Sequence, residues 1–252
     1  MLRVLALRFL IITVTLSQVA GILNLTEEVE RYIQTLNHTK HNITSWGFND
    51  TYSYWKNFSR SNEMLPIKAS VGEIIFDSTI PDLRTFTEDY RFETVVHFFN
   101  MTRSMYYPVL LPANVSLELF ENGELEKKNV SFYINKERKT RKWTKIIKTT
   151  RKNGKGLSIK QELQNKEETG FLRKYFWDIT FKVNVTFYGY FAYEMKSTAG
   201  NDTAYGTVAV GNLNDTTKGL LRNGDNLTVT FGGLYRRFCV FLDITSYKPI
   251  IL

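Results

Sequence analysis

The clearest pattern in the chain is strict alternation. Within the stretch from Tyr175 to Tyr193, Trp177, Ile179, Phe181, Val183, Val185 and Phe187 fall on one side, and Asp178, Thr180, Lys182, Asn184 and Thr186 on the other. A side-chain period of two is that of a half-buried antiparallel strand. The strand it predicts is far longer than the usual length of about five or six residues, as in elongated β proteins and barrels. Gly189 permits a bulge or bend before Tyr190-Phe191-Ala192-Tyr193.

Shorter stretches of the same kind follow Pro66. Val71 to Asp77 is one candidate strand, and Arg91 to Phe99 is another, broken by Asn100. Val115, Leu117 and Leu119 alternate with polar positions, as do Val130, Phe132 and Ile134. Later come Tyr205 to Val210, a turn-rich stretch, an Asn223-Gly224 turn signal, and Leu227, Val229 and Phe231 in alternation. Gly232-Gly233 punctuate the pattern, and Leu234 to Asp243 supplies the last strand. Near the start, Leu25, Val29, Ile33 and Leu36 recur at helical spacing, with Glu27-Glu28 where a helix dipole favours negative charge. The pattern therefore predicts an all-β chain, mainly antiparallel and elongated, with a short N-terminal helix.

Met1 to Gly21 has the parts of a secretory signal: Arg3 and Arg8, the apolar run from Phe9 to Leu16, and small residues at Ala20-Gly21, where cleavage is expected. The run is too short to span a bilayer, which takes roughly 20 apolar residues. Three regions result: 1–21, a signal peptide; 22–65, the helix and an aromatic segment; and 66–252, a β-rich body with a basic insertion at 136–155. The aromatic segment holds Trp46, Phe48, Tyr52, Tyr54, Trp55 and Phe58. Its acceptor sites suggest an exposed, glycan-decorated stretch whose aromatics either pack on the body or meet a partner, packing being the commoner fate.

Asparagine spacing supports the secretory route. The acceptor N-x-S/T occurs at Asn24, Asn37, Asn42, Asn49, Asn57, Asn100, Asn114, Asn129, Asn184, Asn201, Asn214 and Asn226. With 19 asparagines and 40 Ser plus Thr in 252 residues, chance predicts about 3 such sites. The twelve observed point to a secreted, extracellular glycoprotein, and an occupied site must face solvent. Asn184 falls on the polar face of the alternating strand, as that requires.

Charge changes the picture only locally. The 33 basic and 25 acidic side chains leave a formal charge of +8, two units of which belong to the signal segment. Ten basic residues lie between Lys136 and Lys155, namely Lys136, Arg138, Lys139, Arg141, Lys142, Lys145, Lys148, Arg151, Lys152 and Lys155, against the single acid Glu137. The remaining mature chain is slightly acidic, so the +8 does not describe a nucleic-acid binder. Asn153-Gly154 suits a hairpin joining strands at 143–151 and 157–163. A solvated loop is the plain interpretation. The sharper one is an anionic partner, acidic phospholipid or a sulfated glycan, with Trp143, Ile146 and Ile147 better suited to a lipid interface. The dibasic pairs also permit proteolytic processing.

Catalytic signatures are lacking: no G-x-S-x-G, H-E-x-x-H, Walker loop or dinucleotide glycine fingerprint occurs. No enzyme activity, cofactor or metal is expected. His38 and His41 read as surface residues, His97 as a core or edge residue, and the single Cys239 as a buried thiol.

The strand from Phe92 to Phe99 ending in Asn100-Met101-Thr102, the alternating strand Trp177 to Phe187, and Phe231-Gly232-Gly233-Leu234-Tyr235 before a terminal strand together resemble the aerolysin-like β-pore-forming family, of the epsilon-toxin and mosquitocidal-toxin type. The resemblance covers roughly residues 66 to 245. It implies a toxin-like, mostly antiparallel molecule that homo-oligomerises on a membrane and inserts a hairpin. In that family the inserting hairpin is rich in Ser and Thr; the corresponding region here is the basic run, whose cations would have to line a lumen to cross a bilayer. Two functions from different classes follow. One is a secreted glycoprotein that associates with membranes and oligomerises there, with the basic run as attachment element. The other is a non-lytic secreted binding glycoprotein, a lipocalin-like carrier or a protein-interaction module.

Overall fold

The long alternating segment becomes β8 (Phe171–Tyr188), and its partner β12 (Asn226–Asp243) matches it residue for residue. Their antiparallel register runs from Leu227 opposite Phe187 to Asp243 opposite Phe171 without a shift. The computed structural model describes residues 22–39, 42–57, 64–86, 90–121, 124–135, 143–150, 171–196 and 203–243. An 18-residue strand at about 3.3 Å per residue spans roughly 60 Å, whereas a compact chain of this length would be roughly 45 Å across. The body is therefore elongated along these strands.

Around this pair a seven-stranded sheet is built in the order β1 (Ile22–Asn24), β4 (Tyr90–Tyr106), β12, β8, β3 (Lys68–Phe76), with β7 (Trp143–Thr150) also on β4 and β11 (Leu220–Asn223) also on β12. Among its described strands only β1 runs parallel to its neighbour. One face is inward: Ile179, Phe181, Val183, Val185 and Phe187 of β8 are all buried, with Phe231, Tyr235 and Phe241 of β12 beside them. A two-stranded sheet, β5 (Pro112–Glu121) with β6 (Glu124–Tyr133), covers this face, and Phe132 meets Phe99 at 5.0 Å between ring centroids. Burying the two inner faces against each other is the sandwich solution to one-sided strands.

The N-terminal region closes the far end. Asn24 caps α1 (Leu25–Thr39): its Oδ1 accepts from the Thr26 N–H at 3.0 Å, and Glu27 and Glu28 occupy the first turn. Leu25, Val29 and Ile33 form its buried stripe, and Lys218 Nζ holds Glu28 at 2.8 Å. The aromatic segment forms β2 (Asn42–Gly47) and a second helix, α2 (Ser53–Asn57). β2 pairs β9 (Tyr190–Lys196), which also pairs β10 (Thr203–Ala209). Of the two fates expected for the segment's aromatics, the described residues take packing on the body: Phe48, Tyr54 and Trp55 are buried and Trp46 and Tyr52 half-buried, while Phe58 lies outside the described residues.

Two expected strand breaks are absent. β4 runs through Asn100, because Asn100 lies on the side opposite Phe99 and Met101, which stay in the core. β12 runs through Gly232-Gly233, where the register against β4 shifts so that Gly232 faces Arg103 and Gly233 faces Met101, leaving Thr102 as the extra residue of a bulge. Gly189, by contrast, is a true corner, with φ of 99° between β8 and β9.

Gly233 is required by close approach: a methyl there would run into the Asn100 carbonyl oxygen. Gly233→Ala is expected to cost about 3 kcal/mol, at the upper end for overpacking, read as a lowered urea midpoint with an unchanged slope.

Candidate functional site

The second face of the seven-stranded sheet points away from the β5–β6 cover, and its cross-strand rows divide it into two ends. At one end the rows are hydroxyl-rich. Thr230 Oγ1 donates to Asn184 Oδ1 at 2.8 Å, Thr186 and Thr228 hydroxyls lie 3.5 Å apart, and Lys182 reaches Asp77 at 3.2 Å.

At the other end the rows turn apolar. One contains Asp178, Arg236, Phe98 and Ile146, and the next contains Phe176, Phe238, Val96 and Lys148. Phe176 and Phe238 stack at 4.8 Å, and Phe176 remains 58% exposed and Ile146 54%. Arg236 lies over the Phe176 ring at 5.7 Å and grips Asp178 through two bonds of 2.6 and 2.5 Å. That guanidinium holds the Asp178 carboxyl below the usual range. The arrangement offers exposed aromatic and aliphatic surface with fixed cations beside it, the chemistry of an interface with lipid or with another protein.

Lys148 of the basic run stands in the register rows of this face. Trp143, Lys145 and Lys148 belong to β7, whose strand matches the first half of the expected hairpin, and Lys148 is exposed. Lys136, Arg138, Lys139, Arg141, Lys142, Arg151, Lys152 and Lys155 lie outside the described residues, as do the second half of the hairpin at 157–163 and the signal segment.

The acceptor asparagines differ in exposure. Asn42, Asn49, Asn114, Asn129, Asn184 and Asn214 are exposed, and Asn24, Asn100 and Asn226 are half-buried. Asn37 falls in α1 and Asn57 ends α2, while Asn201 lies outside the described residues. Asn114 and Asn129 sit on β5 and β6 along a groove of about 1350 Å³ between that hairpin and β3.

Sequence reasoning missed a buried polar cluster on the inward face. Adjacent arginines of β12 part company: Arg236 points out, whereas Arg237 is 1% exposed. Arg237 donates to Glu118 of β5 at 2.6 Å and to the Pro81 carbonyl at 2.5 Å, and its guanidinium lies 4.7 Å from the Trp177 ring. Glu118 also accepts from the Leu83 N–H at 3.1 Å. His97 bonds the Tyr235 hydroxyl through Nδ1 at 2.9 Å and the Glu118 backbone oxygen through Nε2 at 3.1 Å. The signal for it was parity: Arg237 and His97 share the alternation of their buried neighbours Tyr235, Cys239, Val95 and Phe99. A cavity of about 100 Å³ adjoins the cluster.

These groups chiefly satisfy one another, and they join the β5–β6 cover to the main sheet. Burial pushes His97 down to about 4, opposed by the Glu118 backbone bond and reinforced by the Arg237 charge. Burial likewise pushes the Glu118 carboxyl up, with Asp82 adding to it and the Leu83 N–H and Arg237 pulling back. Cys239 is buried, its thiol pushed up to about 12 by burial. Among the described residues, no group of three or more His, Cys, Asp or Glu is placed to hold a metal ion, and no helix is long and apolar enough to cross a membrane.

No family model matches the sequence, and no curated protein matches it. Among solved structures the chain is similar to one in the Cry23Aa1 and Cry37Aa1 binary complex, with TM-score 0.43 and 11% identity over 86% of this chain and 85% of that one. A non-toxic crystal protein from Bacillus thuringiensis gives 0.42 and 12% over 88% and 94%. The Mpp75Aa1.1 β-pore-forming protein from Brevibacillus laterosporus gives 0.26 and 9% over 79% and 66%.

His97 makes stability fall on acidification. Below pH about 6.5 the unfolded chain takes up a proton that the folded chain refuses until pH is near 4, so the loss accumulates across that window, about 2 kcal/mol by pH 5. Glu118 acts in the opposite sense at lower pH, since its raised carboxyl favours the folded state once protonated. Urea midpoints measured from pH 7 to 5 should fall for the wild type and stay nearly level for His97→Gln.

Proposed function

We propose that this chain is a secreted, glycosylated β-rich protein that attaches to anionic membrane surfaces and oligomerises there, a binding protein and not an enzyme. One observation carries the proposal: the only described strand drawn from the basic run, β7, pairs with β4 and sets Lys148 and exposed Ile146 in the same rows as Phe176, Phe98, Phe238 and Arg236. Cations that attract anionic lipid headgroups and apolar side chains that enter the interface are thereby presented together. The attached basic segment contributes further charge, at about 1 kcal/mol per basic residue near such a surface. A sulfated glycan would use the cations and leave the aromatics idle, which favours lipid.

The alternative of a barrel-like carrier has less support. Among the described residues β3 pairs β8 alone and β7 pairs β4 alone, so the ends of the sheet do not meet each other. Packed aromatic rings, Phe76, Phe99, Phe181 and Tyr235, fill the space between the layers.

The test is flotation of the secreted protein, its N-glycans trimmed to the first sugar, with phosphatidylserine-containing vesicles at physiological salt, followed by crosslinking. Binding and crosslinked oligomers are expected with these vesicles and not with purely zwitterionic ones. Replacing Lys142 and Lys148 by Gln should weaken binding on the order of 30-fold, and Phe176→Ser about tenfold. A monomer that ignores anionic vesicles would overturn the proposal.

A further inference from the structure

The apolar end of the outward face poses a problem for any chain that must first travel through water. Phe176 and Ile146 are more than half exposed, and Phe98, Phe238 and Leu234 beside them are half-buried. Contiguous apolar surface of this kind invites self-association unless something covers it.

Asn100 stands at its border. Leu234 is its partner across the β4–β12 register, and Phe98 precedes it by two residues on the same side of β4, about 7 Å away. Phe238 lies two rows further on and one strand over, about 14 Å from Asn100. Asn100 is half-buried, so part of its side chain meets solvent. Asn100-Met101-Thr102 is a complete acceptor sequence, and Thr102, the exposed extra residue of the bulge, donates from Oγ1 to the Gly232 carbonyl at 3.2 Å. Two other acceptors share this outward parity: Asn184 pairs with Thr230, six residues and about 20 Å along β12 from Arg236, and Asn226 starts β12, farther still.

Resting on the reading of the chain as a secreted glycoprotein, we propose that an N-linked glycan on Asn100 lies over the apolar end of the outward face and shields it. Occupancy of this one acceptor then sets whether the patch is covered or open. A branched glycan core is long enough to reach Phe238. Sugar rings present C–H faces that pack on aromatic rings, while their hydroxyls keep the outer surface wet. Because Asn100 points outward from a strand whose alternate residues Phe99 and Met101 are buried, the modification leaves the core undisturbed. A chain lacking this glycan exposes the surface that membrane attachment needs.

The full chain secreted from eukaryotic cells is compared with Thr102→Ala, which destroys the acceptor, and Thr102→Ser, which keeps it. Mass spectrometry should find glycan at Asn100 in the wild type and in Thr102→Ser, and none in Thr102→Ala. Thr102→Ala should bind an apolar-surface dye severalfold more strongly and anionic vesicles about tenfold more tightly, with its urea midpoint little changed. Asn184→Gln, which strips the polar end of the same face, should leave the dye signal unaltered. An unmodified Asn100 in the secreted wild type, or equal dye signals from wild type and Thr102→Ala, would overturn the proposal. Should Thr102→Ala fold poorly, wild-type glycoforms separated by occupancy at Asn100 supply the same comparison. If the dye signals differ while neither form binds vesicles, the glycan cover stands and the membrane reading falls.

Discussion

The pairing of β8 with β12 is the constraint on which the remaining structure depends. An unshifted antiparallel register from Phe187 with Leu227 to Phe171 with Asp243 means that every side chain of one strand has its face decided by the other. With a period of two, a slip by one residue would carry Ile179, Phe181, Val183 and Val185 to solvent and bring Asp178, Lys182 and Asn184 into the core. The burial difference between those sets is large enough to make the register unique. Once it is set, β4 and β3 have one inner face to continue, and the β5–β6 sheet has one apolar surface to cover.

The same parity explains why neighbouring arginines have opposite roles. Arg236 shares its row with exposed Asp178 and forms a solvated pair, of the kind that contributes little to stability. Arg237 faces inward and must be compensated there. Glu118, the Pro81 carbonyl and the Trp177 ring surround its guanidinium, yet among the described residues its Nε meets no hydrogen-bond acceptor. Removing one partner of such a pair costs roughly 3 to 5 kcal/mol, although the pair itself is not a large source of stability. Its consequence is specificity: Glu118 can satisfy Arg237 and the Leu83 N–H together only when β5 sits at one position along β12.

Much of this was legible in the sequence, for physical reasons that also mark the limits. The strand through Trp177 to Phe187 could be read because its inner face is unbroken and its outer face polar. The helix at Leu25 was readable from its stripe and its acidic first turn. Asn100 and Gly232-Gly233 misled because both belong to residue types that commonly end strands, whereas here the first faces outward and the second makes the close approach at a bulge. The segment from Asn37 to Ser61 has too little alternation to reveal β2, which is held by β9, far away in sequence. Phe176 was hidden for a related reason, since an apolar residue at an outward position is visible only when its cross-strand row is known. The Arg237 cluster required three elements to be brought together, and no local spacing encodes that.

The outward face then follows from the position of β4. It is paired by β12 on one side and by β7 on the other, so one short stretch, Val96 to Asn100, touches the aromatic end of the long strand pair, the strand drawn from the basic run, and a glycan acceptor. The charge of +8, which suggests a uniformly basic protein, is concentrated in sequence between Lys136 and Lys155, the run that supplies β7 and its exposed Lys148. Cations alone attach weakly and reversibly to an anionic surface, and apolar side chains alone associate with one another in water. Set side by side, each limits the weakness of the other: charge draws the face to a surface of opposite sign, and burial of Phe176 and Ile146 retains it there. The rows beyond Leu234 hold Lys182, Asn184, Thr186, Thr228 and Thr230 at their centre, with exposed Ile75 and Leu221 set apart on the outer strands β3 and β11 and no stacked aromatic pair between them. A protein using this face would therefore meet its target with one end of the long strands and leave the hydroxyl-rich end in solvent.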